Sequence, residues 1–340
     1  PGLHPARRGA DVTTDNRRRQ LIRSLGAAGL SAAGAGRAHA QAWPSKPIRF
    51  FVGFAPGGTT DPYARMLGEY VSQKLGVPVV VENRPGANGF ISLEALSRAA
   101  PDGYTIGVTT STSVWGSRAL YRKLPFDADR DFVPISLLPV GPLLFAVPAS
   151  LPVGTTKEWI DYARTRPVSM ASYNAGSVPH IVAEEMNRRH GLNVNVIHYK
   201  GEGPMWLDVA GGVVQGGVGS YVALGPHLAR QTVKVLASVG YERSPKLPQV
   251  TSFVSQGFDA DIFKLDGCLA VLAPAGTPAE IVNRFGDLFV EAADSPKGLN
   301  LREAFAIDAK PTSAAVAQKR WRDESPVWVR LTESTGVKLD

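Results

Sequence analysis

Short apolar runs alternate along this chain with longer stretches whose apolar residues recur every three or four positions. Ile48–Phe54 is mostly apolar, the pattern of a strand covered on both faces. Asp61–Leu75 follows with Ala64, Leu67 and Val71 at helical spacing. Val77–Glu82 reads as a strand and Phe90–Ala99 as a helix ended by the turn Pro101-Asp102-Gly103. Tyr104–Thr109 is then a strand and Val114–Tyr121 a helix. This β-α-β-α-β order implies an α/β fold with a mostly parallel sheet flanked by helices.

The pattern changes between Asp127 and Pro142, where acids and prolines accumulate. A second alternating set begins at Leu143–Val147, a strand, and Thr156–Thr165, a helix. It continues with a strand at Ser169–Tyr173, a helix at Val178–His190, a strand at Val194–His198 and a helix at Met205–Ala210. Strands at Val213–Val218 and Val233–Ser238 complete it. The last third holds one apolar strand, Leu269–Ala273, followed only by the helical patterns Pro278–Ala292, Leu299–Ala306 and Ala314–Ser334. A lone strand must pair with an existing sheet, so the chain is expected to return to its first domain. The expected division is 43–140 plus 266–340 for lobe 1, discontinuous in sequence, and 141–265 for lobe 2.

Composition fits two globular cores: 340 residues, 44% of them apolar. Charge is uneven. Seven arginines against two acids lie in the first forty residues, so the chain from Gln41 on carries about +2 of the net +7. A nucleic-acid partner is therefore not expected, since it needs a basic face on the folded domain. Residues 1–42 read as an export leader. Arg18-Arg19-Gln20-Leu21-Ile22-Arg23 has a twin-arginine pattern, Leu25–Gly36 is weakly apolar, and cleavage is expected near Ala40 or Ala42. No later run reaches the roughly 18 apolar residues of a membrane-spanning helix. The single cysteine, Cys268, has no intrachain disulfide partner, and no metal ligand set or cofactor motif is visible.

The most informative segment is Phe54-Ala55-Pro56-Gly57-Gly58-Thr59-Thr60-Asp61, between an expected strand and an expected helix. Gly57 and Gly58 permit close backbone approach, and Thr59 and Thr60 add hydroxyl donors. The helix start offers unpaired N–H groups and a partial positive charge, which suits a carboxylate or phosphate. Asp61 is the expected N-cap. A second turn of this kind runs from Ser172 through Asn174, Gly176 and Ser177 to Pro179-His180. A third is Thr109-Thr110-Ser111-Thr112-Ser113. Three such turns at strand ends fit a ligand held at the carboxyl edge of parallel strands, between two lobes. The chain lacks a phosphate-binding GxxxxGK[ST] loop, a GxGxxG fingerprint after the first strand and a GxSxG elbow. His180 falls in the first turn of a helix, a packing or capping position, and no catalytic residue is expected.

Several segments together resemble the Bug family, the solute receptors of tripartite tricarboxylate transporters. They are Trp43-Pro44-Ser45-Lys46-Pro47-Ile48, the Phe54–Asp61 loop, Val81-Glu82-Asn83-Arg84-Pro85-Gly86-Ala87, Ala100-Pro101-Asp102-Gly103-Tyr104-Thr105, Tyr199-Lys200-Gly201, Arg243-Ser244-Pro245 and Leu272-Ala273-Pro274-Ala275-Gly276-Thr277-Pro278. The resemblance implies a two-lobed periplasmic-binding-protein clamshell of the Venus-flytrap kind. It implies a periplasmic location, a small organic carboxylate as ligand, no cofactor, a monomer, and integral membrane transporter subunits as partners. It carries ligand binding onto Gly57, Gly58, Thr59 and Thr60, onto Thr110, Ser111 and Ser113, and onto Ser172, Gly176 and Ser177; Phe54 and Tyr221 are expected to bind ligand beside them. Departures from the family occur at Val114, Trp115, Asn174, Gly219-Ser220-Tyr221 and Cys268, all expected to alter the pocket wall. Trp115 is expected to fill the core, with stacking on an aromatic ligand as the alternative. Two rival functions remain open at this point: a sensing receptor for a membrane signalling partner, and a small-molecule hydrolase using the same cleft.

Overall fold

The computed structural model describes Gly2 and residues 43–56, 58–240 and 246–339. The export leader, Gly57 and the Arg243-Ser244-Pro245 motif fall outside the described residues. In chain order the elements are β1 (Ile48–Val52), α1 (Thr60–Leu75), β2 (Val79–Asn83), α2 (Phe90–Ser97), β3 (Thr105–Thr110), α3 (Ser111–Trp115), α4 (Ser117–Leu120) and β4 (Phe132–Pro139). Then come β5 (Leu143–Pro148), α5 (Thr156–Thr165), β6 (Ser169–Ser172), α6 (Val178–His190), β7 (Asn195–His198), α7 (Glu202–Ala210), β8 (Gly216–Ser220), α8 (Tyr221–Ala229) and β9 (Val233–Ser238). The chain closes with β10 (Cys268–Pro274), α9 (Ala279–Ala292), α10 (Pro296–Phe305) and α11 (Ala314–Glu333).

The strands form two five-stranded sheets, in the orders β2-β1-β3-β10-β4 and β7-β6-β8-β5-β9. Each sheet is parallel except for one strand. β10 runs antiparallel to both β3 and β4, and β5 antiparallel to both β8 and β9. The lone late strand β10 thus inserts into the first sheet, where every one of its residues is buried. The chain leaves the first sheet between Pro139 and Leu143 and returns to it at Cys268.

Both sheets are covered on both faces, which explains their nearly continuous apolar strands. In the first, Phe50 of β1 meets Phe285 and Phe289 of α9 edge-on at 6.4 and 6.2 Å. In the second, neighbouring residues of β5 serve opposite faces. Phe145 packs against Trp159 of α5 at 5.2 Å, while Leu144 and Ala146 join Met205, Trp206 and Val209 of α7 and Leu224 of α8. The alternation is the period-two geometry of a strand read on both sides.

Two elements depart from the sequence expectation. The acid- and proline-rich stretch contains β4, whose Pro134 and Pro139 lie in the outermost strand of the sheet, where a missing N–H is tolerated. The expected strand at Val213–Val218 begins only at Gly216 and is followed by α8, whose internal Pro226 breaks the helical pattern of the sequence. Trp115 is wholly buried; it stacks on Trp328 at 6.2 Å and meets Trp321 at 5.4 Å, both on α11. Replacing Trp115 with alanine should cost about 3–5 kcal/mol of stability, as deletion of a buried aromatic does. Denaturant unfolding with the linear-extrapolation slope unchanged checks this.

Candidate functional site

A solvent-open cavity of about 120 Å³ lies between the two sheets at the ends of their strands. Its first wall comes from the β1–α1 loop, with Phe54, Gly58, Thr59 and Thr60, from Thr110 and Thr112 at the end of β3, and from Cys268 and Leu269 at the start of β10. Its second wall comes from Tyr173 after β6, Val178 on α6, the Lys200–Pro204 segment that opens α7, and Ser220 at the end of β8. Strand ends thus supply most of the polar lining, as open α/β sheets dictate.

The local geometry of the β1–α1 loop leaves a helix end free. Thr59, not Asp61, is the N-cap residue, and its side chain makes no capping bond. Asp61 is the second residue of the helix, and its carboxylate is taken up by side chains. It accepts two hydrogen bonds from the guanidinium of Arg65, at 2.9 and 3.0 Å, and one from Asn83 Nδ2 at 2.8 Å. Burial works against its charge, but these hydrogen bonds and the Arg65 charge hold its pKa below the usual carboxylate value. Asn83 Nδ2 also donates to the carbonyl of Phe54 at 3.0 Å and so ties the loop to the end of β2. The sixteen-residue helix α1 therefore presents an uncapped first turn to the cavity, in which the Thr60 and Asp61 N–H groups have no intrahelical acceptor, Pro62 has no N–H and Tyr63 donates to the Thr59 carbonyl at 3.3 Å.

The expected site residues separate into two groups. Phe54, Gly58, Thr59, Thr60 and Thr110 line the cavity. Among the described residues, the others do not line it. Ser111 and Ser113 are buried, and Ser113 Oγ is 2.7 Å from Thr110 Oγ1. Ser172 and Ser177 are fully buried, their hydroxyls stand 2.8 Å apart, and each lies within hydrogen-bond distance of the Asn174 carbonyl, at 2.6 and 2.7 Å. Gly176 has φ +71°, and an added Cβ would stand 2.6 Å from Leu120 Cδ1 and 3.2 Å from Thr332 Cγ2. Here α4 and α11 of the first lobe press on the second, and Asn88 Nδ2 adds a hydrogen bond to the Ala175 carbonyl at 2.9 Å. Tyr221 packs against the core of the second sheet. Gly57 lies outside the described residues.

His180 is buried, and its Nδ1 accepts from the Gly176 backbone N–H at 2.9 Å. Burial, reinforced by nearby His198, lowers its pKa to about 4, so it is neutral and acts as a loop clasp. Cys268 is buried beside the cavity, and burial pushes its thiol up to about 11. Such a thiol is protonated near neutrality and a poor nucleophile. Among the described residues no group of three or more His, Cys, Asp or Glu could hold a metal ion, and no helix is long and apolar enough to cross a membrane.

Sequence reasoning singled out Tyr199-Lys200-Gly201 as a motif but did not anticipate that it leads onto the cavity wall. Glu202 and Tyr173 were missed. Both Glu202 oxygens lie near the Ser220 N–H, at 3.2 and 3.3 Å, and one also accepts from the Ser220 hydroxyl. Burial raises the Glu202 pKa, which the Ser220 hydrogen bonds oppose. The Tyr173 hydroxyl is raised by burial and by the Glu202 charge and stays protonated. The signal available in the sequence was an acid at the start of a short helix, Gly201-Glu202-Gly203, next to a glycine-lined strand end.

Next to the site, Glu82 of β2 accepts from Arg49 at 2.6 and 3.0 Å and from Arg84 at 2.9 Å. The Arg49 hydrogen bond is the largest of the influences that lower its pKa to about 2 from the ordinary 4.5. Because folding lowers this pKa, the stabilisation is present above 4.5 and is lost as pH falls toward about 2. Arg49→Ala should flatten the dependence of thermal unfolding on pH across that window, measured against the unmodified protein.

The family described as tripartite tricarboxylate transporter family receptor matches residues 63–337. The protein BugT of Bordetella pertussis is 33% identical over 328 residues, covering 94% of this chain and 99% of BugT. The R. palustris protein Rpa4515, solved with adipate, superposes with a TM-score of 0.80 at 29% identity, covering 87% of this chain and all of that one. MatC from Rhodopseudomonas palustris, solved with bound malate, gives 0.75 at 26% identity over 86% of this chain and all of its own. With two α/β lobes facing each other across a cavity of this lining, and with these similarities over nearly its whole length, the chain belongs to the receptor family of the tripartite tricarboxylate transporters.

Proposed function

We propose that this protein is an exported receptor that closes its two lobes around a small carboxylate-bearing organic anion and delivers it to integral membrane subunits of a tripartite tricarboxylate-type transporter. The observation that carries the reading is the uncapped start of α1 on the cavity wall, with Gly58, Thr59 and Thr60 beside it. A helix N-terminus in partly buried surroundings stabilises an anion by up to about 2 kcal/mol, and hydroxyls add neutral donors. The adipate and malate in the related structures support the carboxylate class. In this reading lobe 1 is 43–140 with 266–340, lobe 2 is 141–265, and residues 1–42 direct export, with cleavage near Ala40 or Ala42. The receptor works as a monomer, and no catalytic step belongs to it: the cavity holds a protonated thiol and the buried histidine has its Nδ1 engaged.

Closure follows from differential affinity. A carboxylate held by the first lobe gains further contacts only where the second lobe meets it, so ligand draws the equilibrium toward the closed arrangement. Thermal unfolding against a panel of aliphatic and aromatic carboxylates tests this. A true ligand at 100 times its Kd stabilises the protein by about 2.7 kcal/mol. Gly58→Val should abolish that shift while leaving the ligand-free midpoint nearly unchanged, because a Cβ at Gly58 meets nothing within 4 Å. Absence of any shift across the panel overturns the carboxylate reading; a shift that survives Gly58→Val moves the site away from this loop.

A further inference from the structure

The second wall of the cavity carries the charged side chains Lys200 and Glu202, whereas among the described residues the first wall carries none. The α1 end offers donors, whereas the second wall presents the carboxylate of Glu202, at the first position of α7. This carboxylate is half-buried, and its contacts among the described residues are the Ser220 N–H and hydroxyl. A carboxylate has about four acceptor positions, so capacity remains toward the cavity. Burial raises its pKa, and among the described residues no ion pair to it is formed, Lys200 on the same wall included.

We infer that Glu202 is a specificity-determining residue, and that the ligand is a carboxylate whose far end carries an N–H donor, an ammonium or a carboxamide, received by the Glu202 carboxylate. The inference rests on the carboxylate reading above. A ligand with two carboxylates sets like charges side by side in a confined space, which is unfavourable until one takes up a proton. An N–H donor in the same place forms a charge-assisted hydrogen bond and supplies the partner that Glu202 lacks. Tyr173 and Ser220, on the same wall, add hydroxyls that orient this end.

Calorimetric titration with two length-matched series tests it: succinate, succinamate and 4-aminobutyrate; adipate, adipamate and ε-aminocaproate. In at least one series an N–H probe should bind about tenfold or more tighter than the dicarboxylate, the worth of one charge-assisted hydrogen bond. Glu202→Gln, nearly the same shape without the charge, should raise dicarboxylate affinity and lower that of the ω-amino acid by a similar factor. The order in the unmodified protein tests the inference even if the variant folds poorly, and ligand-free unfolding reports whether it does. Tighter binding of both dicarboxylates, with proton uptake, overturns the inference: Glu202 is then a protonated donor. A ratio untouched by Glu202→Gln, or no binding by any of the six, overturns it too. In either case, binding of any carboxylate in the thermal panel leaves the receptor reading standing, and its absence removes both.

Discussion

Asn83, at the end of β2, donates to the carbonyl of Phe54 and to the carboxylate of Asp61, while Arg65 takes both oxygens of the same carboxylate. On these bonds the usefulness of the site depends. An acid in the first turn of a helix ordinarily folds back onto the free N–H groups and neutralises the positive end. Here the acid is drawn sideways onto a neighbouring strand and a residue one turn along. The helix keeps its open end, and the loop before it is fastened at Phe54. The negative charge lies close by without competing for the place an incoming anion would take.

Much of the fold was legible because both sheets are covered on both sides and their strands are correspondingly apolar. β10 shows the reasoning at its best: a solitary apolar run among helices has to join an existing sheet, and it does so between β3 and β4. The misses share a cause. β4 and α8 carry prolines that local rules treat as breakers, yet an edge strand and a short helix accommodate them. Nothing in a local window reveals that a segment will lie at an edge.

The site was legible by halves for a related reason. Loops that run from strand to helix are easy to find, but sequence does not say whether their hydroxyls face a cavity or each other. Thr59 and Thr60 reach the cavity, whereas Ser172 and Ser177 close on Asn174 in a ring of internal hydrogen bonds. The start of α7 reaches the cavity only because its strand and helix place it opposite α1, a relation between residues some 140 positions apart that no spacing rule contains.

For the proposed closure, the crowding at Gly176 is a mechanical end-stop. Leu120 and Thr332 already stand where a side chain would begin, and Asn88 is bonded across to Ala175. Packed cores yield little to further compression, so the lobes meet at a fixed spacing. The gap between them then behaves as a gauge. In the proposed receptor, a molecule that fits leaves this contact made and a longer one would part it, so that size is read as a difference in the shape of the whole molecule.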